Sequence, residues 1–321
     1  MTIKNSINFI TGLYLAILVW WLSLYLSGSR GGLNNSLFGF FWALFLVLAV
    51  FLVVYHISRT SKVYTYNKVR KTALVLLGVG LLLLGLGNVV WSVYNIFLSI
   101  EVPFPSYADV FYSFSYTATF IGLGKLLSNK FFKSEKLKFC VIGTLRILSV
   151  FVSVSPVVLT TAIKFSKSPL ELETLRLTLN YYYVTMDILI LILILTLFIF
   201  ASNYLVDHLN KKAKFLLTSA FLFLFIGDLL FFNTSMNNTY FNGCYVDLFY
   251  VSYAFLLFLG ICETVDYWFP LASTEERFNG VNYVYRIQTL REFCLNVIES
   301  DNFFSYIFPG FCLIISVISF L

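Results

Sequence analysis

The stretch LFGFFWALFLVLAVFLVVYHI, Leu37 to Ile57, runs for 21 residues without a lysine, arginine, aspartate or glutamate. A hydrocarbon core roughly 30 Å thick is crossed by about 20 apolar residues in a helix, which rises 1.5 Å per residue. This one run therefore places its segment in lipid, and the pattern recurs along the chain. Comparable runs lie at 7–26, 73–99, 108–127, 139–163, 177–206, 214–232 and 245–265, with a ninth at 303–321. Composition agrees: 59% of residues are hydrophobic, 12% are charged, and the mean hydropathy is +0.85, outside the usage of soluble domains. A membrane strand would need only about 10 residues of alternating pattern, and these runs do not alternate. The expected fold is an all-α, polytopic transmembrane helical bundle of eight helices plus a ninth. The first run has no small-residue cleavage site behind a short apolar core and reads as a retained helix. The longest polar stretch, 266–301, is shorter than the roughly 50 residues at which a domain usually folds alone.

Lysine and arginine mark the cytoplasmic side of short loops. Lys4, the loops carrying Arg59 to Lys71, Lys125 to Lys138 and Lys211 to Lys214, and the tail with Arg277, Arg286 and Arg291 together hold seventeen of the 22 basic residues. The opposite loops hold Arg30, Lys164, Lys167 and Arg176, and Arg146 lies within a run. The expected topology has the amino terminus in the cytoplasm of a multi-pass cell-membrane protein. The net charge of +6 is then a topology signal and gives no ground for nucleic-acid binding. The Asn-x-Ser/Thr triplets at Asn34, Asn233 and Asn237 all fall in loops expected outside. The five cysteines form no close pair, so neither a disulfide framework nor a zinc site is indicated, and no cofactor is expected.

An internal likeness divides the chain. LGLGNVVWSVYNIF, Leu84 to Phe97, aligns with LFIGDLLFFNTSMN, Leu224 to Asn237, so that Gly87 meets Gly227 and Asn88 meets Asp228 at a spacing of 140. Asp109 and Asp247, each in a Tyr-x-Asp-x-Phe-Tyr string, stand 138 apart. An even number of crossings separates the copies, which predicts two parallel repeats of about 140 residues. Residues 1–132 form the first and 133–265 the second. A cytoplasmic amphipathic linker helix, 266–301, and the ninth crossing, 302–321, follow.

The order of Gly-Asn/Asp, an aromatic helix, PFPSYADVFYSFSYTATFIGLGKLL, and a mid-helix aspartate in YYYVTMDILILILIL resembles the multi-helix amino-terminal membrane sensor domain of bacterial and archaeal diguanylate cyclases and histidine kinases. The resemblance covers roughly residues 37 to 265. It implies a sensory module that passes a signal to the cytoplasm. The chain departs from that pattern after the eighth run, where another apolar run stands in place of an output domain. Any signal is then expected to pass to a separate cytoplasmic protein.

Five polar residues are the site candidates. Asp109 follows Pro103 and Pro105, so it or Ser106 can cap the helix of the 108–127 run, and Asp247 can do the same for the 245–265 run. A ligand-facing role is the alternative for both. Asp187 and Asp228 lie deep in apolar runs, where a charge costs at least about 2.5 to 3.5 kcal/mol on insertion scales, so they are expected to face the bundle interior at similar depth. With Asn88 they would line a polar cavity opening to the outer side, taking a cation or a basic or hydroxylated small ligand. The alternative is that they tie helices together. Gly78, Gly80, Gly85 and Gly87 suit close helix packing. Tryptophans and tyrosines are expected in interfacial belts, and His56 and His208 at helix ends.

No His-Glu-x-x-His, Gly-x-Ser-x-Gly or phosphate-binding loop occurs, and the chain is not expected to be an enzyme. The sequence leads to a receptor-like sensory module in the lipid bilayer that binds a small molecule or senses the membrane. A secondary transporter using intramembrane acids is the alternative, and a structural membrane protein a second alternative.

Overall fold

The structure, a computed structural model, describes residues 2–63, 68–100, 104–127, 148, 150–158, 161–162, 168–203 and 211–279. The described part is all-helical. Its long helices are α1 (Ile3–Leu26), α2 (Leu33–Val63), α3 (Lys68–Ser92), α4 (Ala108–Leu127), α5 (Pro169–Asn203), α6 (Lys211–Met236) and α7 (Tyr245–Asn279). A π-helical turn, Val93–Phe97, extends α3. Six of these helices are long and apolar enough to cross a membrane, which makes the chain a multi-pass membrane protein. Most of the run expected at 139–163, Arg146, His208, most of the 266–301 linker and the ninth run lie outside the described residues.

The helices close a ring: α2 packs on α3, α3 on α4, α4 on α5, α5 on α6, α6 on α7, and α7 returns to α2. The first helix, α1, fills the outer groove between α2 and α7. Its lipid-like face is broad, with Leu15, Val19, Leu22 and Leu26 exposed. Its inner edge is narrow and holds Ile10, Ile17 and Leu24 in the core, with Ser6 against His56 Nε2 at 2.8 Å.

The fourth helix, α4, is long enough to span but less apolar than the six, because besides Lys125 in its last turn it carries Asp109, Ser113, Ser115, Thr117 and Thr119. All five are buried. Lipid never has to solvate them, because α3, α5 and the helical residues 150–158 surround α4. Ser115 Oγ donates to Gly80 O on α3 at 2.7 Å, and Thr117 Oγ1 donates to Val152 O at 2.9 Å. Buried hydroxyls satisfied in this way tie helices together without a water phase.

Glycines set the spacing on both sides of α3. A Cβ at Gly80 would stand 2.4 Å from Thr119 Oγ1, and one at Gly87 2.3 Å from the Tyr112 ring, both on α4. On the opposite face, a Cβ at Gly78 would stand 3.5 Å from Val53 and one at Gly85 3.2 Å from Leu46, both on α2. The seven-residue spacing thus produces two packing faces, with α4 in the closer contact.

Two helices begin or end elsewhere than their apolar runs. The fifth, α5, starts at Pro169, because Ser168 and Glu171 form a capping box: Glu171 N donates to Ser168 Oγ at 3.2 Å and Ser168 N to Glu171 Oε2 at 3.0 Å. The last, α7, continues without a break from Tyr245 to Asn279, past the expected boundary at 265.

Candidate functional site

A partly enclosed cavity lies inside the ring, toward the end where α1 turns into α2 and α6 into α7. Every helix of the ring contributes: Trp42 from α2, Leu84, Asn88 and Trp91 from α3, Asp109, Tyr112, Ser115, Tyr116 and Thr119 from α4, Tyr183 from α5, Leu224, Asp228 and Phe231 from α6, and Asp247, Tyr250 and Tyr253 from α7, with Tyr240 from the α6–α7 turn. The space open to the centre of a water molecule is about 60 Å³, several times the roughly 10–15 Å³ one water needs.

Asp109 reaches its place through the start of α4. Ser106 Oγ accepts from Ala108 N at 3.2 Å, and Asp109 Oδ2 accepts from Ser106 N at 2.6 Å, so the pair caps the helix reciprocally. The other oxygen, Oδ1, accepts from Tyr183 of α5 at 2.7 Å. Asp247 is arranged alike: Oδ2 accepts from Gly243 N at 2.6 Å and Oδ1 from Tyr240 at 2.8 Å. Gly243 sits at φ +88°, a left-handed conformation that allows its N–H to turn toward the carboxylate. Each aspartate therefore spends one oxygen on the chain entering its helix and offers the other to a tyrosine. The capping expectation holds for both, and the same carboxylates line the cavity.

One turn further along, the two helical hairpins again match. Tyr112 donates to Asn88 Oδ1 at 3.3 Å, and Tyr250 donates to Asp228 Oδ1 at 2.5 Å. The tyrosine rings lie over Gly87 and Gly227; a side chain at Gly87 would leave Tyr112 no room, and one at Gly227 would crowd Tyr250. Asp228 Oδ2 accepts a further hydrogen bond from Tyr116 of α4, which links the two hairpins across the cavity. Trp91 and Phe231, one turn nearer the mouth, both meet the Tyr240 ring edge-on.

The structure thus brings Asn88, Asp109, Asp228 and Asp247 to one cavity and leaves Asp187 out of its lining. Asp187 is 1% exposed, and among the described residues neither carboxylate oxygen has a hydrogen-bond partner. Its depth follows from the register of α5 against α6: Arg176 Nη2 donates to Asn238 Oδ1 and Asn180 Nδ2 to Ser235 Oγ. Seven residues along α5 and seven back along α6, Asp187 stands at the level of Asp228. Tyr183, one turn before Asp187, is on the cavity wall.

The tyrosines are what sequence reasoning missed. Trp42, Trp91 and the ring of tyrosines sit around the cavity, where interfacial belts were expected; Trp42 is 4% exposed. A usable signal existed in Tyr112 and Tyr250, each three residues after a capping aspartate and so on its helix face. In the turn outside the helices, burial, with Asp247 beside it, pushes the Tyr240 hydroxyl well above its ordinary pKa of 10, so it stays a donor. Burial likewise pushes the neighbouring Cys244 thiol up to about 12.

Among the described residues no cluster of histidine, cysteine, aspartate and glutamate could hold a metal ion. The chain matches no family model, no curated protein and no solved structure.

Proposed function

We propose that this multi-pass membrane protein is a receptor-like sensory module that binds a small molecule in its central cavity. The observation that carries the reading is the cavity lining: all six ring helices and one turn contribute to it, so an occupant there touches every element that would have to move. Ligand binding shifts a helical ensemble only through contacts that differ between its states, and a site shared by six helices supplies such contacts. In this reading the amino terminus is cytoplasmic, the cavity faces outward, the two hairpins belong to parallel repeats, and the signal passes to a separate cytoplasmic protein. No catalytic role is assigned to any residue.

A secondary transporter is the second reading, favoured by Asp187, a buried mid-helix acid with no hydrogen-bond partner among the described residues, since acids inside a membrane often mark ion pathways. Native mass spectrometry of the purified chain released from nanodiscs tests the shared premise. A small-molecule adduct that disappears in the cavity-filling Leu84→Trp variant is expected. Spectra of parent and variant that both show only lipid would overturn it. Uptake of the identified molecule into proteoliposomes would then select the transporter.

A further inference from the structure

Among the described residues the cavity wall carries three carboxylates and no lysine, arginine or histidine. Each hydrogen bond the structure shows to Asp109, Asp228 and Asp247 comes from a neutral group, a tyrosine or serine hydroxyl or a backbone N–H. Such donors orient a carboxylate without cancelling its charge. A carboxylate oxygen has about two lone-pair sites, so Asp109 Oδ1 and both oxygens of Asp228 and Asp247 keep room for one more donor, while Asp109 Oδ2 is filled by Ser106.

Asp187 is an independent pointer. Its carboxylate is buried and, among the described residues, accepts no hydrogen bond, which leaves its acceptor sites available. It lies four residues after Tyr183 and so on the same helix face. Side chains lean toward the N-terminus of their helix, and the N-terminus of α5 is at the cavity end, where Arg176 meets Asn238. That tilt carries the Asp187 carboxylate toward the cavity end of α5, behind the wall that Tyr183 forms. It stands close enough to Tyr250 and Tyr253, both on the wall, to interact with their hydroxyls electrostatically. Most of the remaining wall is aromatic, and ring faces attract cations, most strongly those that are weakly hydrated. Arg176, over the Phe104 ring at 5.9 Å, belongs to the mouth and is absent from the lining.

Resting on the proposed ligand-binding reading, we infer that the ligand is a small organic cation with an ammonium centre, held by Asp228, drawn by the carboxylate of Asp187 behind the wall, and enclosed by the largely aromatic lining. A sugar or other neutral polyol would leave the aspartates without a counter-charge; a bare alkali ion would leave the rings unused.

The full chain in detergent is titrated with methylammonium and with choline at constant ionic strength while tryptophan fluorescence is read, since Trp42 and Trp91 line the cavity. The neutral isostere 3,3-dimethylbutan-1-ol and sodium chloride serve as references. Saturable quenching by at least one ammonium compound is expected, with neither reference reproducing it. Affinity should fall at least tenfold in both Asp228→Asn and Asp187→Asn. The second variant breaks no hydrogen bond, so its fold is retained even if the first is damaged. Quenching by the isostere or by sodium equal to that of choline, unchanged affinity in Asp187→Asn, or no response to either ammonium compound would overturn the inference. A neutral adduct in native mass spectrometry alongside any of these results would leave the binding cavity standing and remove only the ligand class.

Discussion

At the scale of the residue, the cavity is a set of acids whose second partner is a tyrosine from elsewhere in the fold. Tyr183 reaches Asp109 and Tyr116 reaches Asp228, each across a helix boundary. Replacing Tyr183 with Phe should cost about 1.5 to 3 kcal/mol if Asp109 is charged, because a buried carboxylate loses a donor. Denaturant unfolding in mild detergent would show it, and a loss under about 0.5 kcal/mol would count against that bond. At Gly87, an added methyl meets the Tyr112 ring at 2.3 Å, so Gly87→Ala should cost about 1 to 3 kcal/mol through overpacking and displacement of Tyr112 from Asn88. Gly227→Ala should cost less, the same contact there being 3.0 Å. Cys244, buried with its thiol pushed up to about 12, should resist maleimide at pH 8 until the protein is unfolded. The acids themselves were legible, since a carboxylate inside an apolar run has few affordable surroundings. Their tyrosines were not, because a tyrosine in a membrane sequence reads equally well as a belt residue, and only the helix arrangement decides. Asp187 shows the converse: its depth and inward face were legible, while its place below the cavity wall depends on the rotation of α5.

Elements were read well where apolarity alone sets their limits and less well where caps do. The bounds of α4, Ala108–Leu127, coincide with its run, because Pro105 and the Ser106–Asp109 box stop the helix at one end. The start of α5 lies eight residues before the apolar run at 177, since Ser168-Pro169-Leu170-Glu171 is a start signal followed by a polar turn that hydropathy discounts. Ser168→Ala should therefore fray the first turns of α5 at a cost of about 0.5 to 2 kcal/mol. Faster amide exchange over residues 171–174 would reveal it, and unchanged protection would show that packing holds that turn. The polar stripe of α4 was legible as composition, but its meaning was not. Only the ring explains why a helix with so many hydroxyls is tolerated, because its neighbours take its hydrogen bonds.

For the whole molecule, the all-helical, membrane-spanning class followed from composition, whereas closure of the ring by α7 against α2 joins segments about 200 residues apart and leaves no local trace in the sequence. Depth along the apolar runs placed Asn88, Asp187 and Asp228 in one polar cavity, whereas in the structure Asn88, Asp109, Asp228 and Asp247 converge on it and Asp187 stays outside the lining. That convergence inside a water-accessible cavity is the central claim, and cysteine accessibility tests it most directly. In a background with the five native cysteines replaced, Leu84→Cys places a thiol on the cavity wall, and Leu86→Cys places one on the outer surface of the same helix, where Leu86 is 36% exposed. Right-side-out and inside-out vesicles are treated with a membrane-impermeant trimethylammonium methanethiosulfonate. The Leu84→Cys thiol should react from one side only, the outer one if the amino terminus is cytoplasmic, while the Leu86→Cys thiol, facing lipid, stays unmodified. A Leu84→Cys thiol as inert as Leu86→Cys in both kinds of vesicle would contradict the cavity and everything built on it.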